Sequence, residues 1–449
     1  MKPFAFLLLF LLLGACTEQA TAPGVCPDFC PGGTIDVKDT IFTDIVGRDS
    51  SFRGYRRADL AEAIVLADLP GIVDSRGIFL LNAMFTRVTP IAGDTATVPI
   101  SVDSARLRVM IVRRDTNTAN LRLKLYRLPL TIDSSTTFAQ VDPDFAGPVI
   151  DSVNVSALLA RPPIGDTATL RIWGDTIRTD SAGHTLQIVR SDSSLLVYFD
   201  MDTTQAPFVV ADSGKLGWGV RVAADSLASV SLGANDIFDR DALIQWFYHY
   251  TKPDTLAGPD SVLHNSATRQ TTFDSFIFDP PSPALDDNLA VGGAPSARSL
   301  LRVAMPTFLH DSIDVVRATL ILVPVAPVQG ARGDSFAVLA RPILTDLGAK
   351  SPISAAVGVY GRTTIRIGSA DTVRIELTDL VRSWALDTTA TTAFVLSWEV
   401  DTAATTRYLL GQVPDAASYT EIRFYSSRTF AFRPGLHVTY VKRFPFGAP

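Results

Sequence analysis

The chain has 449 residues, 47% hydrophobic and 19% charged, which excludes a disordered chain and exceeds the size at which a single core usually keeps growing. Its formal net charge of -6 provides no clustered positive field to displace counterions from phosphates, so nucleic acid is excluded as an expected partner. Glutamate stands only at Glu18, Glu62, Glu376, Glu399 and Glu421 while Asp, Ser and Thr abound, a balance that suits turns and strands better than long helices.

The first segment carries Lys2, an unbroken apolar run over residues 4–13, and the small pair Gly14-Ala15 ahead of Cys16. A bilayer-spanning helix needs roughly 20 apolar residues, so residues 1–15 read as a cleaved targeting segment. Leu13-Gly14-Ala15-Cys16 resembles the lipobox of the bacterial lipoprotein family. The resemblance implies cleavage before Cys16, lipid on its sulfur and new amino group, and, with Thr17 in place of Asp at the sorting position, delivery to the outer membrane. No later stretch is apolar and unbroken enough to cross a bilayer, so the lipid anchor is the expected membrane contact.

Residues 16–34 are small, polar and rich in Pro and Gly, and read as a flexible tether. Within it, Cys26 and Cys30 lie in Cys26-Pro27-Asp28-Phe29-Cys30. In an exported chain this pair is expected to form a local disulfide; free thiols, or a metal site completed by further ligands, remain open.

Residues 35–250 are predicted to form an antiparallel β-sandwich. Period-two alternation in Ala105-Arg106-Leu107-Arg108-Val109 and Leu121-Arg122-Leu123-Lys124-Leu125 puts charge on one face and aliphatic carbon on the other. Near the end of this segment Trp246, Tyr248 and Tyr250 offer two readings: a stacking platform for sugar rings, or alternating residues that fill the core. Residues 251–272, with Pro253, Gly258, Pro259 and Asn265, are expected to be a linker. A second antiparallel sandwich is predicted over residues 273–445, giving an all-β chain of two tandem jelly-roll-like sandwiches.

In this second half, Asn288-Leu289-Ala290-Val291-Gly292 followed by Arg298-Ser299-Leu300-Leu301-Arg302-Val303 resembles the opening of DNRLRE-type domains. Val316-Arg317-Ala318-Thr319-Leu320, then Ile375-Glu376-Leu377-Thr378-Asp379-Leu380-Val381-Arg382-Ser383-Trp384, then Ile422-Arg423-Phe424-Tyr425 with Leu436-His437-Val438-Thr439-Tyr440 continue the series. The resemblance implies a secreted or surface-displayed sandwich without a transferable catalytic centre. Thr378 or Asp379 is expected to cap a short helix, with Leu380, Val381 and Trp384 turned onto the sheet.

The histidines, at 184, 249, 264, 310 and 437, form no pair at the spacing that puts two imidazoles on one helix face, and serine-hydrolase, phosphate-loop and dinucleotide motifs are missing from the sequence. No cofactor is expected other than a structural calcium ion, for which Asp286, Asp287 and Asn288 are the best candidates. The expected function is non-enzymatic: a lipid-anchored cell-envelope module that binds envelope glycans or proteins or serves structurally. The alternative is a polysaccharide-active enzyme with the second sandwich as accessory domain, which two facing carboxylates in a cleft or a metal-ready His/Asp cluster in the first half would favour.

Overall fold

A computed structural model describes residues 37–442 except 92–94, 115–117, 157–168, 173–174, 180–184, 190–194, 236–239, 254–259, 312, 331–334, 355–359 and 400–416. Cys16, Cys26 and Cys30, with the lipid and disulfide expectations attached to them, lie outside the described residues.

The chain is all-β, built of antiparallel sheets packed as sandwiches. It opens with β1 (Val37–Phe42) and β2 (Val46–Arg53), then β3 (Ala63–Leu69), β4 (Val73–Leu81), β5 (Arg87–Val88), β6 (Val98–Pro99), β7 (Ser101–Arg114) and β8 (Arg122–Leu128). Helix α1 (Phe138–Phe145) and β9 (Asp151–Asn154) precede β10 (Thr169–Ile172), β11 (Asp175–Thr179), β12 (Thr185–Val189) and β13 (Leu195–Asp202). Next come β14 (Leu216–Ala223), β15 (Ala228–Gly233), β16 (Leu243–Lys252) and the long β17 (Ser261–Asp279). The remainder comprises β18 (Leu289–Gly292), β19 (Ala297–Val303), α2 (Phe308–Asp311), β20 (Ile313–Leu322), β21 (Ser335–Pro342), β22 (Gly361–Arg366), β23 (Val373–Glu376), α3 (Thr378–Leu386), β24 (Ala393–Glu399), β25 (Glu421–Phe424) and β26 (Gly435–Lys442).

A 10-stranded sheet in the order β17-β16-β7-β15-β3-β4-β14-β8-β9, with β13 also paired to β7, surrounds the first hydrophobic core. It folds back on itself because β17 changes partner along its length. Residues 261–270 pair with β16, and after a register shift between Thr271 and Phe273 the strand pairs with β4. β7 likewise pairs with β16 through its first half and with β15 at its end, with register shifts on both ladders. Such shifts bend and twist a strand, which lets a long one pass from one layer to the other. Trp218, Trp246, Phe79 and Phe199 are fully buried inside the wrap.

The second core lies between a four-stranded sheet, β1-β26-β20-β23, and a seven-stranded sheet, β22-β21-β24-β19-β18-β25, with β2 paired to β19. β1 and β2, inside the segment expected to form the first sandwich, therefore complete the sheets of the second. The expected linker is mostly strand as well, because β17 starts at Ser261 and makes a ten-residue ladder with β16. Its first six residues are exposed on both faces, so they lack the alternation that a core beneath them would impose.

Leu380, Val381 and Trp384 of α3 are buried in the second core, and so is Trp398. The expected cap does not form: α3 starts at Thr378, whose hydroxyl instead accepts from the Ala318 amide at 2.8 Å and donates to Glu376.

One buried charge ties α1 to the first unit. Arg76 on β4 has a side chain only 5% exposed; it meets Asp74 at 2.7 Å and Asp142 of α1 at 2.8 Å. Its guanidinium lies 4.2 Å from the Phe138 ring centroid and 4.8 Å from that of Phe145. Burial works against the charge, but the hydrogen bonds and fields of Asp74 and Asp142 outweigh it and hold Arg76 more basic than usual. Arg76→Ala should leave Asp74 with Arg221, 3.1 Å away, and Asp142 to solvent, and should lower the unfolding free energy by about 2 kcal/mol through lost packing and charge-assisted hydrogen bonds, measured by urea denaturation.

Candidate functional site

Three places in the fold hold the chemistry that the sequence singles out or that the topology assembles. The first is the aromatic strand β16. Trp246 is fully buried and Tyr248 is 6% exposed, both in the first core, and Tyr250 packs against that core half-buried. Phe208 meets Trp246 edge-on at 5.8 Å, Phe85 meets Tyr248 edge-on at 5.4 Å, and Tyr250 stacks on Tyr248 at 6.4 Å. Burial, then the neighbouring Tyr250, push the Tyr248 phenol above its ordinary pKa, with Arg269 opposing. The ring faces that a sugar would stack on are thus turned inward, and the expected platform at Trp246 and Tyr248 is corrected to core packing. Trp246→Ala should lower the unfolding free energy by about 3–5 kcal/mol in urea titrations, and Phe247→Ala, on the opposite face, by far less.

The second place is the loop with Asp286, Asp287 and Asn288. Asp286 accepts from the Asn288 amide at 2.9 Å and its side chain at 3.1 Å, and pairs with Arg423 at 2.6 Å. Burial pushes its carboxyl up, yet the Asn288 hydrogen bonds and the Arg423 cation outweigh burial and hold it below its ordinary pKa. Asp287 faces Arg428 at 3.4 Å. Both carboxylates thus already have arginine partners, and the loop is an ion-pair node.

Beside this node a cleft of about 390 Å³ opens between the two cores, with Ile72, Pro281, Pro327, Tyr419, Glu421 and Arg423 among its walls. The 417–424 segment joins both sides: Ala417 belongs to the first core, Ile422 and Phe424 to the second. Glu421 is 5% exposed and clamped between Arg53 at 2.5 Å and Arg423 at 2.9 Å. Gly293, at φ +81°, is what lets the chain come this close, since a Cβ there would stand 2.7 Å from Glu421 Oε2. Mostly apolar walls with a few fixed polar groups, at the junction of two units, are the usual make-up of a ligand seat.

The third place was hidden from sequence reasoning. His249 and His264 are direct cross-strand partners on β16 and β17. Asp103 joins them from β7, 146 residues away in sequence from His249, at the register shift between Phe247 and Tyr248. Phe247 pairs with Ser104 and Tyr248 with Val102, which leaves Asp103 as the bulged residue. Tyr248 points into the core, so its neighbour His249 points out, and Asp103 meets it there. Asp103 Oδ1 lies 2.6 Å from His249 Nδ1, and Oδ2 lies 3.3 Å from His264 Nδ1. The imidazole centroids are 5.4 Å apart. A His/Asp cluster in the first unit is therefore present, on an open strand face: the side chains are 36%, 35% and 71% exposed for Asp103, His249 and His264. His437 has a simpler setting, with Nε2 2.7 Å from Asp39 Oδ1.

No protein-family model, no curated protein and no solved structure matches the chain.

Proposed function

We propose that the chain is a non-enzymatic, lipid-anchored cell-envelope protein, held at the outer membrane through Cys16, whose β-sandwich body is a binding or structural module for envelope glycans or proteins. The lipobox-like Leu13-Gly14-Ala15-Cys16 supports the address, and the likeness of residues 273–443 to DNRLRE-type domains supports a displayed sandwich. The observation that carries the binding reading is the cleft between the two cores, with apolar walls and a Glu421 carboxylate fixed by two arginines. A metal-dependent enzyme acting on polysaccharide is the second reading, favoured by the Asp103–His249–His264 cluster. Exposure counts against it, because a catalytic metal works in a shaped, water-excluding cavity.

In cells fed labelled palmitate, the full chain should take up label and Cys16→Ser should abolish it; label retained by the variant would overturn the anchor. For binding, the detergent-solubilised full chain is applied to an array of defined envelope glycans, beside Pro327→Trp, which fills the cleft from an exposed wall position. Retention should drop at least tenfold in the variant. Equal retention would remove the cleft from the reading, and release of reducing ends from a polysaccharide by the zinc-supplemented chain would replace it with the enzyme.

A further inference from the structure

We propose that Asp103, His249 and His264 bind one divalent transition-metal ion of the zinc class, which cross-links β7, β16 and β17 and keeps its remaining coordination positions open on the outer face of the first unit. Each of the three residues offers a ligand atom, and these atoms all lie within 4.8 Å of one another. Zinc takes nitrogen and oxygen ligands at about 2.0–2.2 Å, which sets tetrahedral ligand atoms roughly 3.3 Å apart. The Asp103–His264 contact of 3.3 Å meets that separation; the Asp103–His249 contact of 2.6 Å is a direct hydrogen bond that a metal would open by roughly 0.7 Å, which side chains 36% and 35% exposed have room to do.

The donor set selects the ion. Two imidazoles and one carboxylate suit zinc, copper, nickel or ferrous iron, whereas calcium and magnesium require a shell of oxygens. Both imidazoles turn the same nitrogen, Nδ1, toward one carboxylate. Without metal the Nδ1–H groups donate to the carboxylate; a metal would take the place of those protons, with each imidazole then protonated at Nε2. Among the described residues the ion-pair partners of Asp103 are the two histidines, in contrast with Asp286 and Asp287, which already face arginines.

The backbone supplies a reason for an ion here. Opposite His249, the β17 strand runs through residues exposed on both faces, so here β17 is held to β16 mainly by ladder hydrogen bonds, while Tyr248 and Tyr250 of β16 still reach the first core. A metal would fasten the hairpin to β7 at that point and would present a Lewis-acidic centre outward.

The test uses the untagged full chain in detergent, carrying Cys26→Ser and Cys30→Ser so that the tether thiols do not compete, stripped with EDTA and titrated calorimetrically with zinc chloride. One ion per chain should bind, and cobalt should give a visible spectrum without a thiolate charge-transfer band. His249→Ala with His264→Ala should weaken zinc at least 100-fold, and Asp103→Asn should weaken it measurably with an unchanged circular dichroism spectrum. His437→Ala, at a histidine whose carboxylate partner is Asp39 and which among the described residues belongs to no group of three metal-ligating side chains, should bind zinc like the parent. Zinc should also raise the melting temperature of the parent and leave that of the double-histidine variant unmoved. Absence of binding by the parent, or equal affinity in the double-histidine variant, would overturn the site.

Discussion

One pairing ties the two ends of the described chain into the second unit: β1, the first described strand, runs antiparallel to β26, the last, from Val37 against Val441 to Phe42 against Leu436. β2 then continues along β19, and its side chains tie the segment down. Asp49, with a side chain 1% exposed, accepts from the Ser427 amide at 2.6 Å and faces Arg428 at 3.4 Å. Ser51 lies 3.0 Å from Ser299 Oγ and donates to the Asn288 carbonyl at 3.1 Å. Arg53 reaches Glu421. The chain from β3 to β17 is thus an excursion between two stretches of one sandwich. Adding β1 and β2 to the second unit carries the closure entropy of the long intervening chain, a cost that rises only slowly with length.

That arrangement explains which parts of the fold were legible in the sequence. Alternation marked 105–109 and 436–440, where the buried side chains alternate with partly exposed ones, whereas 299–303 is buried on both faces, with Leu301 in the second core and Leu300 in a smaller apolar cluster on the other face. β1 carries no such mark: its residues are mainly exposed, and Val37 and Ile41, its largest aliphatics, are 57% and 55% exposed. It is a strand because β26 offers it a row of backbone partners, not because its side chains need burial. The same holds for residues 261–266 of β17. Reading that stretch as a linker also removed from view the strand that carries His264.

The candidate sites show a related limit. Alternation in 243–250 was visible, but not which phase faces the core; the structure puts Trp246 and Tyr248 inward and Phe247 and His249 on the other face. Asp286 and Asp287 looked like oxygen ligands because Arg423 and Arg428, which neutralise them, lie far along the chain. Searches for two histidines on one helical face cannot register a pair made by strand register, still less a third group contributed by a bulge on a neighbouring strand.

The bulge itself belongs to the architecture. In the 10-stranded sheet, register shifts interrupt the ladders β15–β7, β16–β7 and β17–β4, so each involves one of the two long strands that cross between layers. A strand that must bend to close a wrap leaves an extra residue at the bend, and the added side chain is released from strict alternation. At Asp103 this puts a carboxylate on the outer face, across from a histidine that alternation already sends outward. Closure of the core and assembly of the His/Asp cluster are therefore linked through the same backbone feature: the curvature that buries Trp246 also brings Asp103 to His249.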